Sequence, residues 1–237
     1  SNIQGQLGIN AAGTNRSSPV QVGNLSNWSK ISCGYNFNFG IQSNGTLWSW
    51  GNNSYGQLGT SNQTNYSSPV QIGLTNYWQR INAGGNSSAL IERNGTLWTF
   101  GYNLYGQLGT SDTISRSSPT QIGTSSWSTV NAGTSVVIGI TTTGALYAWG
   151  LNTSGQLGNN TDTFARSSPV QIGTSSWTFA TVGNGHALAL RTDSGLFAWG
   201  LNTSGQLGQL DVATRSSPTQ IGTSSWSQVR AGGTHTV

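Results

Sequence analysis

Across 237 residues the chain holds five carboxylates, two histidines and one cysteine, and any acid, base, nucleophile or metal ligand must come from that short list. His186 and His235 each stand three residues after a glycine, Gly183 and Gly232, at a position that Phe37, Ser87 and Val136 occupy elsewhere. Two imidazoles hold a metal only with further ligands at matching spacing. The sequence offers none, so the pair reads as structural, and no metal or cofactor is expected. The acids are more regular: Asp112, Asp162 and Asp211 each precede an arginine by four residues, namely Arg116, Arg166 and Arg215. A charge pair repeated at equal intervals serves something every interval needs, such as a clasp within a loop or between neighbours, before it serves one catalytic centre. Surface pairs of this kind add only about 0–1 kcal/mol each, so fixing the loop is the expected benefit. With no convergent acid, base or nucleophile, the chain is expected not to be an enzyme.

Those intervals belong to a repeat. Gly-Gln-Leu-Gly begins at Gly5, Gly56, Gly106, Gly155 and Gly205, a period of about 50 residues. Ser-Ser-Pro keeps the same beat at Pro19, Pro69, Pro119, Pro169 and Pro218, followed nine or eight residues later by Trp28, Trp78, Trp127, Trp177 and Trp226. Repeats of this length build solenoids, helical arrays or propellers. No window sustains the i, i+3, i+4, i+7 pattern of an amphipathic helix, which leaves short strands. The clearest is Leu47-Trp48-Ser49-Trp50, copied as 97–100, 146–149 and 196–199. Its period of two puts large aromatics on one face and Leu with small residues on the other, so both faces are expected to be buried.

Asn44-Gly45 and Asn94-Gly95 favour the positive φ of a two-residue hairpin turn joining an apolar run to the aromatic strand. Thr143-Gly144 takes this role in the third copy; in the fourth, Thr192-Asp193-Ser194-Gly195 reads as a turn one residue longer. The tryptophan stretch, exemplified by 127–133, precedes the hairpin, and a short Pro-Val-Gln-Ile run precedes that. Four short strands per unit, neither face polar, is the content of a propeller blade.

The unit Trp-x-x-Val-x-Ala-Gly, an apolar strand, Gly-x-Leu-Tyr-x-Trp-Gly-x-Asn-x-x-Gly-Gln-Leu-Gly and Ser-Ser-Pro is entire from Trp127 to Pro169, and recurs with substitutions from Trp177 to Pro218. It resembles the regulator of chromosome condensation repeat over essentially the whole chain. The resemblance implies an all-β fold, a β-propeller normally of seven blades whose chain termini share a blade. The present chain is one domain over 1–237 with about four and a half units, cut inside a blade at both ends. It is therefore expected to be part of a longer propeller; an open arc that closes by association is the alternative, since exposed strand edges invite pairing.

Only 6% of residues are charged, against roughly 25% in ordinary soluble domains. The formal net charge of +4 comes from few groups, Lys30 is the sole lysine, and no run of cations suits phosphate contacts, so nucleic acid is not an expected partner. No apolar stretch is long enough to span a bilayer. Cys33 takes the small position held by Ala83, Ala132, Val182 and Ala231 and is expected to be a packed thiol; the ten tryptophans are expected at repeat-core positions. Asn-x-Ser/Thr triplets at Asn52, Asn152 and Asn202 follow from composition and predict no glycosylation.

The copies differ most between Gly-Gln-Leu-Gly and Ser-Ser-Pro: residues 9–15, 60–65, 110–115, 159–165 and 209–214. Variation along one edge of a uniform repeat suits a binding rim, and equally suits absent constraint; Ile114, Phe164 and Leu210 tilt the reading towards contact. The candidate rim residues are Ile114, Asp112, Arg116, Phe164, Asp162, Arg166, Leu210, Asp211 and Arg215. The expected function is a non-enzymatic module for protein binding or structural display, joined to a protein partner or larger assembly. Poverty of charge and richness in Asn, Ser and Thr suggest an extracellular, cell-surface or virion setting. The resemblance offers two alternatives. Nucleotide exchange or chromatin association, as in the family's namesake, finds no matching loops or basic extensions here. Light sensing by a Gly-Trp-Arg-His-Thr motif meets Gly233-Thr234-His235-Thr236, without the tryptophan.

Overall fold

A computed structural model describes residues 1–24, 26–74, 77–160 and 163–237. The described residues contain strands and no helix, arranged as four antiparallel sheets of four strands. The first sheet comprises β1 (Trp28–Cys33), β2 (Phe37–Gln42), β3 (Leu47–Gly51) and β4 (Tyr66–Ile72). The second comprises β5 (Trp78–Ala83), β6 (Ser87–Glu92), β7 (Leu97–Gly101) and β8 (Arg116–Gln121). The third holds β9 (Trp127–Ala132), β10 (Val136–Thr141), β11 (Leu146–Gly150) and β12 (Arg166–Gln171), and the fourth β13 (Trp177–Val182), β14 (His186–Arg191), β15 (Leu196–Gly200) and β16 (Arg215–Gln220). Each is a simple meander, and the sheets stack as an open, unclosed propeller arc.

The Ser-Ser-Pro run is therefore the fourth strand of the preceding sheet rather than the first of its own, with Leu47 opposite Ile72. Proline explains the placement: it cannot donate to a ladder and is tolerated on an outer strand with one neighbour. The hairpins also differ from the two-residue expectation. The Gly45 amide donates to the Gln42 carbonyl at 2.9 Å and the Gln42 amide to Thr46 at 3.0 Å, which makes a three-residue loop. Only the glycine has positive φ, 85° at Gly45, while Asn44 stays in the ordinary region and its side chain accepts from the Thr46 amide at 3.1 Å. This is a type I turn closed by a bulged glycine. The fourth hairpin is not longer than the others: Leu190 pairs with Leu196 as Ile140 pairs with Leu146. Ser194, at φ 68°, has taken the position of Gly144, and Gly195 has slipped one residue on.

Burial on both faces of the aromatic strand is as its period demands. Leu146, Ala148 and Trp149 of β11 are all fully buried. One core joins the first and second sheets, a second joins the second and third, and a third joins Ile138, Leu146 and Leu157 to Trp177, Ala187 and Trp199. The glycines ending the first strands set how close sheets come. A methyl group on Gly84 would stand 2.4 Å from the Gly133 carbonyl oxygen, and one on Gly133 would stand 2.7 Å from that of Gly183. Backbone thus lies on backbone from sheet to sheet.

Two expectations fail at the ends. Cys33 is exposed, because no complete sheet covers the N-terminal side of β1; partial burial still raises its thiol pKa. Trp226 is 41% exposed, and the fifth unit forms one isolated bridge, Ala231 to Thr236, in place of an apolar strand.

The rim loops as a candidate binding surface

Gly-Gln-Leu-Gly is the clamp between neighbouring sheets. Its loop, between the third and fourth strands, is folded by a buried asparagine: Asn103 Oδ1 accepts from the Leu108 amide at 2.8 Å, as Asn53 Oδ1 does from Leu58 at 2.9 Å and Asn202 Oδ1 from Leu207 at 2.9 Å. The glutamine side chain accepts the amide two residues before it, Gln107 from Tyr105 at 2.9 Å. Its backbone carbonyl faces outward and receives the next sheet's indole: Trp50 Nε1 donates to Gln6 at 3.2 Å, Trp149 to Gln107 at 3.0 Å and Trp199 to Gln156 at 3.0 Å. In the second sheet Phe100 has no such donor, and the Ser88 hydroxyl supplies the bond to Gln57 at 2.9 Å instead. The loop tips also grip the next sheet. Ser61, Ser111 and Asn160, all at positive φ, donate their amides to Ser117, Ser167 and Ser216 at 2.8, 2.7 and 2.9 Å.

The triplet asparagines serve the same loops: Asn52, Asn152 and Asn202 are all buried.

The acid–arginine pairs prove to be clasps within the loops. Arg116 Nη2 meets Asp112 Oδ2 at 2.6 Å while Nη1 donates to the Ile114 carbonyl at 3.1 Å. Arg215 and Asp211 repeat this at 2.6 Å, with Ala213 supplying the carbonyl. The Ile114 amide, donating at 3.0 Å, chiefly lowers the Asp112 pKa; the Arg215 guanidinium chiefly lowers that of Asp211. In the uncharged copy Asn62 accepts the Thr64 amide at 2.9 Å and donates to the Tyr66 hydroxyl at 3.0 Å. The same loop therefore closes without charge, so these groups shape the rim. Arg166 donates to the Phe164 carbonyl at 3.4 Å, and Asp162 lies outside the described residues. Among the side chains the clasps leave outward, several are apolar: Ile114 is 63% exposed and Phe164 72%, and Leu210 and Val212 also stand out. A further pair, Arg191 with Asp193 at 2.6 Å, holds the fourth hairpin and takes the Asp193 pKa down to about 2.

The sequence reading missed an aromatic cluster on this end of the sheets. Tyr55 of one loop packs at a tilt against Tyr102 of the next, ring centroids 4.7 Å apart, and Tyr102 meets Tyr105 edge-on at 6.4 Å. Leu104 beside them is 56% exposed. The signal was present: the third and fourth copies place Leu151, Thr153, Ser154 and Leu201, Thr203, Ser204 at these positions. The connections between first and second strands open on the same end, where the Tyr35 hydroxyl reaches Thr134 at 2.6 Å and Asn184 at 3.2 Å.

His186 is buried with Nε2 at 3.3 Å from the Thr236 hydroxyl, and no three His, Cys, Asp or Glu residues converge among the described residues. Burial, seconded by His235, lowers the His186 pKa from its ordinary 6.5. The unfolded chain then binds the proton first, so stability should be constant above about pH 6.5 and fall as the pH drops below it. Melting temperature between pH 8 and 5 should show this fall in the native chain and less of it in His186→Phe, which restores the residue found at Phe37.

Among the described residues there is no helix long and apolar enough to cross a membrane. In solved structures, human WBSCR16 superposes with a TM-score of 0.88 at 21% identity, over all of this chain and 65% of that one. Prp20p of Saccharomyces cerevisiae, described with its binding to Gsp1p and histones, gives 0.83 at 19% identity over 92% of this chain and 57% of that one. Yeast RCC1 (Prp20), solved bound to Kap60, gives 0.80 at 18% identity over 88% and 53%. The chain thus spans less than two thirds of these neighbours, and at such identities the likeness is one of fold. The family model described as RCC1-like domain matches residues 1–237, within which the repeated clamp and the four-stranded sheets recur, and the chain belongs to that family.

Proposed function

We propose that this chain is a non-enzymatic protein-binding module whose contact surface is the loop-bearing end of the sheets, centred on Tyr55, Tyr102, Leu104 and Tyr105 and extended by Ile114, Phe164 and Leu210. The observation that carries this reading is a partly exposed aromatic cluster, Tyr55 and Tyr105 beside the half-buried Tyr102, seated on loops that are bonded at both base and tip. Exposed tyrosines on a rigid support lose little freedom on contact and are enriched among residues that dominate binding energy. Structural neighbours solved with or described by their protein partners, Kap60, Gsp1p and histones, support the class without naming the partner here. The low charge of the chain favours an extracellular, cell-surface or virion setting.

The test replaces Tyr55→Ser, Tyr102→Leu and Tyr105→Ser together, using residues the third and fourth copies already carry. Affinity capture from extracts of the source organism, quantified against the native chain, should lose a specific protein by about tenfold or more. Leu74→Ser, on the opposite end and 97% exposed, should keep it. Equal capture by all three forms would defeat this surface; exchanging residues 159–165 for 110–115 then tests whether the rim tips alone carry contact.

A further inference from the structure

The sequence shows no cluster of cations, but the fold makes one. The first strands β1, β5, β9 and β13 stand side by side along the inner edge of the arc. In their middle lies a cleft of about 410 Å³ lined by Lys30, Arg80, Thr129, Asn131 and Phe179, with Ile31, Ile81 and Val130 between them. Among the described residues no carboxylate lines it. The described acids are elsewhere: Asp112 and Asp211 in rim loops, Asp193 and Glu92 at hairpins. Lys30 Nζ donates to the Gln79 carbonyl across the sheet boundary, which holds the ammonium towards β5. Arg80 is exposed and its guanidinium makes no hydrogen bond or ion pair among the described residues, unlike those of Arg116, Arg191 and Arg215. Arg230 lies over the Phe179 ring at 4.8 Å and adds a third positive group at the cleft edge. An unpaired guanidinium and an ammonium in one concave site, bordered by Ile31, Ile81, Val130 and Phe179 and by the amides of Asn82 and Asn131, favour an anion that can accept a two-pronged contact.

We infer that this inner cleft binds a small polyanion bearing phosphate or carboxylate groups, held between Lys30 and Arg80 with Arg230 at its edge. This goes beyond protein binding at the loop end and uses none of its residues. Calorimetric titration of the whole chain at about 150 mM salt, with pyrophosphate in one arm and citrate in the other, tests it. Saturable binding is expected in at least one arm, weakened about tenfold or more in Lys30→Gln/Arg80→Gln. Arg93→Gln removes a charge at an exposed hairpin outside the cleft and should leave binding unchanged. Tighter pyrophosphate assigns a phosphate ligand; tighter citrate assigns a carboxylate. Both substituted residues are exposed, and matching circular dichroism melts will show that the variants fold. No saturable heat in either arm, or equal weakening in Arg93→Gln, overturns the inference.

Discussion

Trp149→Ala should lower the unfolding free energy by about 3–5 kcal/mol, the range for emptying a large buried site. The ring is fully buried and lies at 5.7 Å from Trp127. Its removal also strips the Gln107 carbonyl of its donor at 3.0 Å, and that carbonyl belongs to the second sheet. The loss is therefore felt across a boundary between sheets. Trp149→Phe should recover most of the packing, because Phe100 fills the equivalent place in the second sheet without an indole. Chemical denaturation of the three proteins checks this ordering; an alanine variant with an unchanged midpoint would reject the role given to the ring.

The second large effect is expected at Gly106→Ala. Its φ of +77° strains any L side chain, and the new methyl would stand 2.5 Å from Ser167 Cα, a backbone atom of the next sheet that cannot swing aside. Strain of about 1–3 kcal/mol and overpacking of about 1–3 kcal/mol together give a loss of about 2–6 kcal/mol. Gly205→Ala is the internal comparison: its φ is +71°, yet nothing lies within 4 Å of the added carbon. It should show the conformational part alone. If the two variants lose equal stability, the contact between sheets is not what the first glycine of Gly-Gln-Leu-Gly protects.

The strand ending at Trp149 was readable because alternation is a local property, and both its faces are buried as read. The role of Gly-Gln-Leu-Gly was not, although its recurrence was plain. What its first glycine and its carbonyl touch lies far along the chain, Ser167 being 61 residues beyond Gly106 and Trp149 42 beyond Gln107. The same limit applied to the Ser-Ser-Pro run, whose sheet is decided by pairing with β3 rather than by its own pattern. Asn44-Gly45 misled on turn length because the Gln42 to Thr46 bond, invisible in composition, adds a residue to the loop. At the candidate surface the rim tips Ile114 and Leu210 were legible as loop residues, whereas Tyr55 and Tyr102 meet only when two sheets stack. Lys30 and Arg80, fifty positions apart, were scattered charges until the inner strands aligned.

The contact of Gly84 with Gly133, and of Gly133 with Gly183, has a meaning for ancestry. Because the spacing of inner strands is fixed by main chain against main chain, this inner part of each joint does not depend on which side chains the loops carry. A duplicated unit would find a ready seat wherever it was inserted, and its loops would be free to drift from the first generation onward. Energies in such an array add by neighbours, so the gene can lengthen or shorten by whole copies with every surviving joint intact. Diversity of surface and constancy of frame then arise from the same absent methyl group.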